Sequence, residues 1–300
     1  MQQNQCRWAS SLGSLEDTHQ VAWGTVDYTD RNKPCVFFGL YDLRDYIALW
    51  RHKGKAWVLW AGSDIRNLRS NFIFNDGKLK WLSELFAMQN RNFKEFLIKK
   101  VLSKAEHWVE NEGEAWQLKD IGLKVSGICP SFMGRVEDYK VSFRPGNRVY
   151  LSANKGREQE YGWGIVQSIA CALPKIKFHL YGSLWDEPRQ PLKNVFVRGR
   201  VPKKQMNKEI KKMQCGLRLN KHDGFSEVTA KSVLWGQYPI TYLYHDKIDQ
   251  YVVDDCGQPW CVAGLNNLIK LLRRVPKKKK PNIKAREYYR NRLNKFPWVS

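Results

Sequence analysis

Residues 217–240 read LRLNKHDGFSEVTAKSVLWGQYPI. An apolar run ends at Asn220, Gly224 turns the chain, and Ser226-Glu227 stand where a helix N-cap and its first-turn acid belong. The pattern beyond them predicts a helix over 226–236 and a strand in YPITYL, 238–243. A glycine turn that feeds a helix N-terminus aims backbone N–H groups at one spot, which suits an anion such as a diphosphate. Asp223 adds a carboxylate to the same crevice, able to accept hydrogen bonds from hydroxyls. Taken alone, the stretch equally fits an ordinary strand-to-helix turn.

Working outward, RVYLSA (148–153), KIKFHLYG (175–182), NVFVRG (194–199) and CGLRLN (215–220) read as strands. Helices are expected over 161–173, 202–213, 262–274 and 282–296. Strands that end in glycine before a helix are the doubly wound habit, with ligands at the carboxyl ends of the strands. The first half alternates in the same way. CVFFGL (35–40), KAWVLWAG (55–62) and AEHWVE (105–110) are strand-like, LKVSGICP (123–130) closes the half, and 45–52, 93–102 and 112–120 are helical. FIFNDGKLKW, within 71–82, carries an Asn-Asp-Gly hairpin signal. Pro145-Gly146 marks a hinge. The expected architecture is α/β, with one domain over 1–145, a second over 146–280, and a basic helix over 281–300.

HDGFSEVTAKSVLWGQYPI resembles the E-G-F-G-x-x-x-x-E-A-x-x-x-G-x-P-V motif of retaining GT-B glycosyltransferases, the glycogen- and sucrose-synthase-like group. Asp223 falls on the first acid, Gly224-Phe225-Ser226 on the G-F-G/S, and Gly236 and Pro239 on the later G-x-P with one extra residue. Both RVYLSANKGREQEYGWGIVQSIACALPKIKFHLYGS and NVFVRGRVPKKQMNKEIKKMQCGLRL look like the family's flanking strand, turn and helix pieces. In the first half WAGSDI (60–65) resembles a G-T-D turn of some members, and 108–132 looks like the end of their acceptor domain. The resemblance implies two Rossmann-like domains facing across a cleft, with a last helix crossing back to the first. It implies that Lys155, in a turn with Ser152, Asn154 and Gly156, neutralises the donor diphosphate. The amides of Gly224, Phe225, Ser226 and Glu227 would hold the same phosphates, Asp223 the sugar hydroxyls, and Arg200 and Val201 the base. Two positions depart from the motif: Lys231 replaces its second acid, usually a ribose ligand, and Leu151 and Ser152 stand where an arginine is common. An ammonium cannot accept a bond from a ribose hydroxyl, so Lys231 implies either a different donor mode or a phosphate contact.

Asp64, in a glycine turn after a buried strand, is the candidate carboxylate facing an acceptor, and its alternative role is capping the next helix. Glu110, Glu112 and His107 are weaker candidates. The family's electrostatic chemistry needs no divalent metal and no further cofactor, and the chain has no D-x-D triplet.

Lys and Arg total 51 against 29 acids, a net charge of +22, which predicts attraction to polyanions. From Arg273 to Ser300 there are eleven cations and one acid, Glu287, interleaved with Tyr288, Tyr289, Phe296 and Trp298. Lys277, Lys278, Lys279, Lys280, Arg286 and Arg290 are the expected anionic-partner surface, while the aromatics suit either base stacking or packing. Of seven scattered cysteines without a C-x-x-C pair, most sit inside apolar runs and read as buried thiols in a reducing compartment. With no apolar run of membrane length and no secretory leader pattern, a cytoplasmic protein is expected, with attachment at the inner membrane face as the alternative. The expected activity is transfer of a sugar, with retention, from a nucleotide sugar, UDP-sugar favoured. DNA carrying hydroxymethylated pyrimidines is the favoured acceptor. The alternatives are a peripheral-membrane enzyme of surface-glycan or glycolipid synthesis and a non-catalytic binding module.

Overall fold

The computed structural model describes residues 3–9, 18–70, 96–153, 156–182, 192–220, 223–251 and 262–299. These divide into two compact units. One comprises Met1–Arg135, His222–Phe225 and Arg292–Ser300; the other comprises Val136–Lys221 and Ser226–Asn291.

The first unit holds six parallel strands: β1 (Gln5–Trp8), β2 (Val26–Asp27), β3 (Cys35–Phe38), β4 (Ala56–Leu59), β5 (Ala105–Val109) and β6 (Val125–Ile128). Their order is β2-β1-β3-β4-β5-β6. β3 and β4 are buried at every position, as parallel strands covered on both faces must be. The period of two shows in what each residue meets. Cys35, Phe37, Ala56 and Val58 share one core with Tyr46 and Leu49 of helix α2 (Leu43–Arg51) and Ile65 and Leu68 of α3 (Ser63–Ser70). Val36, Phe38, Trp57 and Leu59 share the opposite core with Trp8, Trp23, Phe296 and Trp298. Helix α2 starts on a reciprocal capping box between Asp42 and Asp45. β1 carries no readable strand pattern because its first residue is a buried glutamine. Gln5 is satisfied by the loop it faces, donating to the Asp30 carbonyl at 2.8 Å and accepting from the Thr29 and Asp30 amides.

The second unit holds β7 (Arg148–Ser152), β8 (Lys177–Tyr181), β9 (Val195–Gly199), β10 (Cys215–Arg218), β11 (Ile240–Thr241) and β12 (Asp249–Gln250). Their order is β12-β11-β10-β7-β8-β9, all parallel. One face packs Val149, Leu151, Phe178 and Leu180 against Trp163, Val166 and Ile169, and against Leu268 and Leu272. Those partners come from α5 (Trp163–Ala170) and α8 (Val262–Leu272). The other face packs Tyr150 and Tyr181 against Ile210 of α6 (Lys203–Ile210) and Val228 of α7 (Glu227–Leu234).

The α/β class and the doubly wound sheets agree with the sequence reading, and α4 (Glu112–Asp120) spans the expected residues. Other elements differ. The helix expected over 93–102 is, among the described residues, a π-helical turn (Leu97–Val101) followed by a 3-10 turn. The hairpin signal within 71–82 lies outside the described residues. Residues 136–145 pack in the second unit, where the amides of Ser142 and Phe143 donate to the Trp235 carbonyl at 3.1 Å. The last helix, α9 (Ile283–Arg290), ends well short of 296. The chain then turns at Asn294, which has φ +58°. Its side-chain amide pairs with both backbone groups of Phe132 at 2.8 Å. No helix among the described residues is long and apolar enough to cross a membrane.

Candidate functional site

The second sheet reverses direction between β7 and β10: the chain proceeds from β7 outward to β8 and β9, and from β10 outward to β11 and β12. Crossovers on either side of that point leave a crevice beyond the carboxyl ends of the two central strands, where open α/β sheets bind ligands. Ser152 ends β7, and Gly156 lies in the turn that follows at φ +76°, with open space where a side chain would stand. Asn154 and Lys155 lie outside the described residues. Arg200 and Val201 follow β9, the first exposed and the second packed on the Tyr150 and Tyr181 core.

After β10 the chain reaches α7. Ser226 is its N-cap, extended at φ −64° and ψ 148°, and its hydroxyl accepts from the Thr229 amide. The helix is buried from Val228 through Leu234, while Ser226 and Glu227 at its start are half-buried. Lys231 sits on it at 4% exposure, its ammonium 3.2 Å from Glu227 one turn back. The position that departs from the family motif is therefore filled by a buried, internally neutralised cation.

Residues 223–225 belong to the first unit, and a buried carboxylate holds them there. Glu110, just past the end of β5, accepts from the Phe225 amide at 2.7 Å with one oxygen, and from the Ser131 amide and hydroxyl with the other. Asn111 donates to the Asp223 carbonyl at 3.3 Å while its own oxygen caps α4 through the Glu114 amide. Gly224 is required: a β-carbon there would overlap the Glu110 carboxylate. Gly62, at φ +86°, lets the turn after β4 approach as closely, since a β-carbon there would lie 3.0 Å from the Asp223 carbonyl carbon.

Burial pushes the Glu110 carboxyl up, with Ser131 and the Phe225 amide pulling it back and the charge of Asp223 adding to it. Burial and then the charge of Glu110 push Glu114 well above the ordinary carboxylate range. One Glu114 oxygen accepts from the Glu110 amide at 2.8 Å; the other has no hydrogen-bond partner among the described residues.

Asp64 needs correcting as an acceptor-facing carboxylate. It is fully buried and accepts from the amides of Leu40, Ala61 and Ile65, so it orders the turns after β3 and β4 and has no surface to offer a substrate. Burial pushes it up to about 7 against those amides. His107 is a core residue: Trp60 donates to Nδ1, Nε2 meets the Leu102 carbonyl, and burial lowers it to about 4.

The expected basic surface is only partly exposed. Arg286 is 11% exposed at its side chain. Its guanidinium donates to the Leu234 and Tyr139 carbonyls at 2.9 and 3.1 Å, and to Glu287. Lys278 lies over the Tyr238 ring. Lys277, Lys279, Lys280 and Arg290 are exposed. Tyr289 is buried, with its hydroxyl on the Asp246 carbonyl, and Phe296 and Trp298 stack within the first unit's core. Those three rings pack the protein and are not available to stack on bases.

No protein-family model matches the sequence, and no curated protein matches it. Solved structures do share its fold. The pneumococcal O-GlcNAc transferase GtfA, solved with UDP and GlcNAc, aligns with a TM-score of 0.56 at 10% identity, over 87% of this chain and 54% of its own. TarM aligns at 0.51 and 11% identity, over 87% of this chain and 51% of its own. Sucrose-phosphate synthase from Thermosynechococcus elongatus aligns at 0.53 and 11%, over 86% and 68%. The chain spans about half the length of the first two. At these identities the likeness is one of fold: two parallel Rossmann-like units of the GT-B kind.

Proposed function

We propose that this GT-B chain is a glycosyltransferase that moves a sugar from a nucleotide sugar, a UDP-sugar favoured, to a hydroxyl on a polyanionic acceptor. The observation that supports it most is the switch point between β7 and β10. The Gly156 turn and the capped N-terminus of α7 follow the two strands that flank it. In this reading the bond from the anomeric carbon to the diphosphate breaks, a bond to the acceptor oxygen forms with retention, and the acceptor's hydroxyl proton passes to the departing diphosphate. The amides at the start of α7 and the ammonium of Lys155 stabilise the departing diphosphate, so no metal is needed. Asp223 accepts hydrogen bonds from the donor sugar. The excess of cations, +22 overall, favours a polyanion as acceptor, with hydroxymethylated DNA as the favoured case.

Melting the protein with UDP, GDP, ADP and their sugars tests the donor. UDP and one UDP-sugar should raise the melting temperature, and Lys155→Ala should cut turnover of that sugar by about 10²–10³-fold, the cost of losing one charge-stabilising donor. A flat response to every nucleotide would sink the proposal. Binding without turnover, unchanged in Lys155→Ala, would mark a non-catalytic module.

A further inference from the structure

Helix α8 and the turn that continues it carry a second feature, away from the switch point. Lys270, Arg273, Arg274 and Lys277 recur at i, i+3, i+4 and i+7, and all four are exposed. Helical pairing persists past Leu272, with the Arg273 amide on the Ile269 carbonyl at 2.9 Å. The opposite face, Leu268, Leu272 and Val275, is buried in the core of the second unit. The helix is amphipathic in an unusual sense, apolar against cationic. The four cations line a groove of about 620 Å³ together with Asn266 and Ile269.

Among the described residues no acid neutralises this stripe. No carboxylate is among the described residues lining the groove, none of the four cations is ion-paired among the described residues, and no acid occurs from Val262 to Arg286. Like charges three and four residues apart repel, so the arrangement costs helix stability unless an outside anion compensates it. The seven-residue step, α-helical to Leu272 and a turn with a 3-10 end beyond it, spans about 10–14 Å, the length of roughly three to four phosphates along one strand of a duplex. A membrane surface fits less well. Interfacial helices flank their cations with exposed apolar side chains, and among the described side chains none of the exposed large apolar ones lies between 264 and 282.

We infer that this groove binds the phosphodiester backbone of a nucleic acid, through Lys270, Arg273, Arg274 and Lys277. The inference rests on the polyanionic-acceptor reading and gives that acceptor a seat on the second unit. It assigns the groove to backbone contact, which positions a duplex without reading its sequence.

Fluorescence anisotropy of a labelled duplex with the full chain, across a salt series, tests it. A variant carrying Lys270→Glu, Arg273→Glu, Arg274→Glu and Lys277→Glu is compared with one reversing four exposed lysines elsewhere, Lys124, Lys204, Lys208 and Lys212. Circular dichroism and melting temperature confirm that both fold. The groove variant should lose at least about tenfold in affinity, and its log–log salt slope should fall by about three to four, one per phosphate contact. The control should keep the wild-type slope. Equal losses in both variants would reduce the effect to net charge and overturn the assignment, and so would an unchanged slope in the groove variant. Wild-type binding to phosphatidylserine vesicles with none to DNA would overturn the acceptor reading itself. The nucleotide response, measured separately, would stand in every case.

Discussion

Glu114 illustrates how the first unit stores acid chemistry without exposing it. Its carboxyl is held well above the ordinary range, so the folded state keeps a proton that the unfolded chain gives up. Between the two values the folded state binds more protons, and stability falls as pH rises above the ordinary carboxylate range. Glu114→Gln imitates the protonated form and keeps an acceptor for the Glu110 amide. Urea melts should show the variant close to wild type near about pH 5 and more stable near about pH 8, with a flatter slope between. A wild-type curve that rises over that window would contradict the assignment. Asp64, lifted to about 7 by burial, adds to the same slope.

Helix α7 joins the two kinds of information, local and distant. Its cap is written in the chain: Ser226 precedes Glu227, and the serine oxygen takes the Thr229 amide. Ser226→Ala should therefore lower unfolding free energy by about 1 kcal/mol in a denaturant titration. It should also weaken any diphosphate bound at the helix start; loss of stability without loss of nucleotide affinity would remove α7 from the donor site. β7 to β10 and helices α5 to α8 were legible because most of these runs close on a glycine or proline before an amphipathic stretch, whereas β12 is two polar residues, Asp249–Gln250, and was not. β1 was not, since a buried glutamine reads as polar until the loop carbonyl and amides that satisfy it are known. Nor was the hold on residues 223–225: Glu110 finds its partners 21 and 115 residues away. Asp64 misled for a related reason, because a carboxylate after a strand has the same spacing whether it faces a crevice or caps backbone amides. The sequence shows Arg273, Arg274 and Arg286 alike as charge, and only packing shows that Arg286 is occupied while Arg273 and Arg274 are exposed.

Across the whole chain, the segment Arg292–Ser300 belongs to the first unit. Trp298 is 1% exposed there, meeting Trp23, Trp57 and Trp108 at ring distances of 5.8–6.2 Å. Trp298→Ala should cost about 3–5 kcal/mol, the usual loss on emptying a buried tryptophan site. If the two units melt separately, that loss should fall on the transition of the first and leave the second in place. Equal movement of both would mean that they unfold as one cooperative body.

The same segment sets the order in which the protein can be made. Domains ordinarily fold as they emerge, the N-terminal one first. Here the strands made earliest lack Phe296 and Trp298 on one face of their sheet until those residues are synthesised. The second unit carries none of its own core in that stretch and can mature while the first still waits. A nascent chain in which Trp298 has not yet emerged thus leaves a tryptophan-lined face open to solvent, a natural handle for chaperones and proteases.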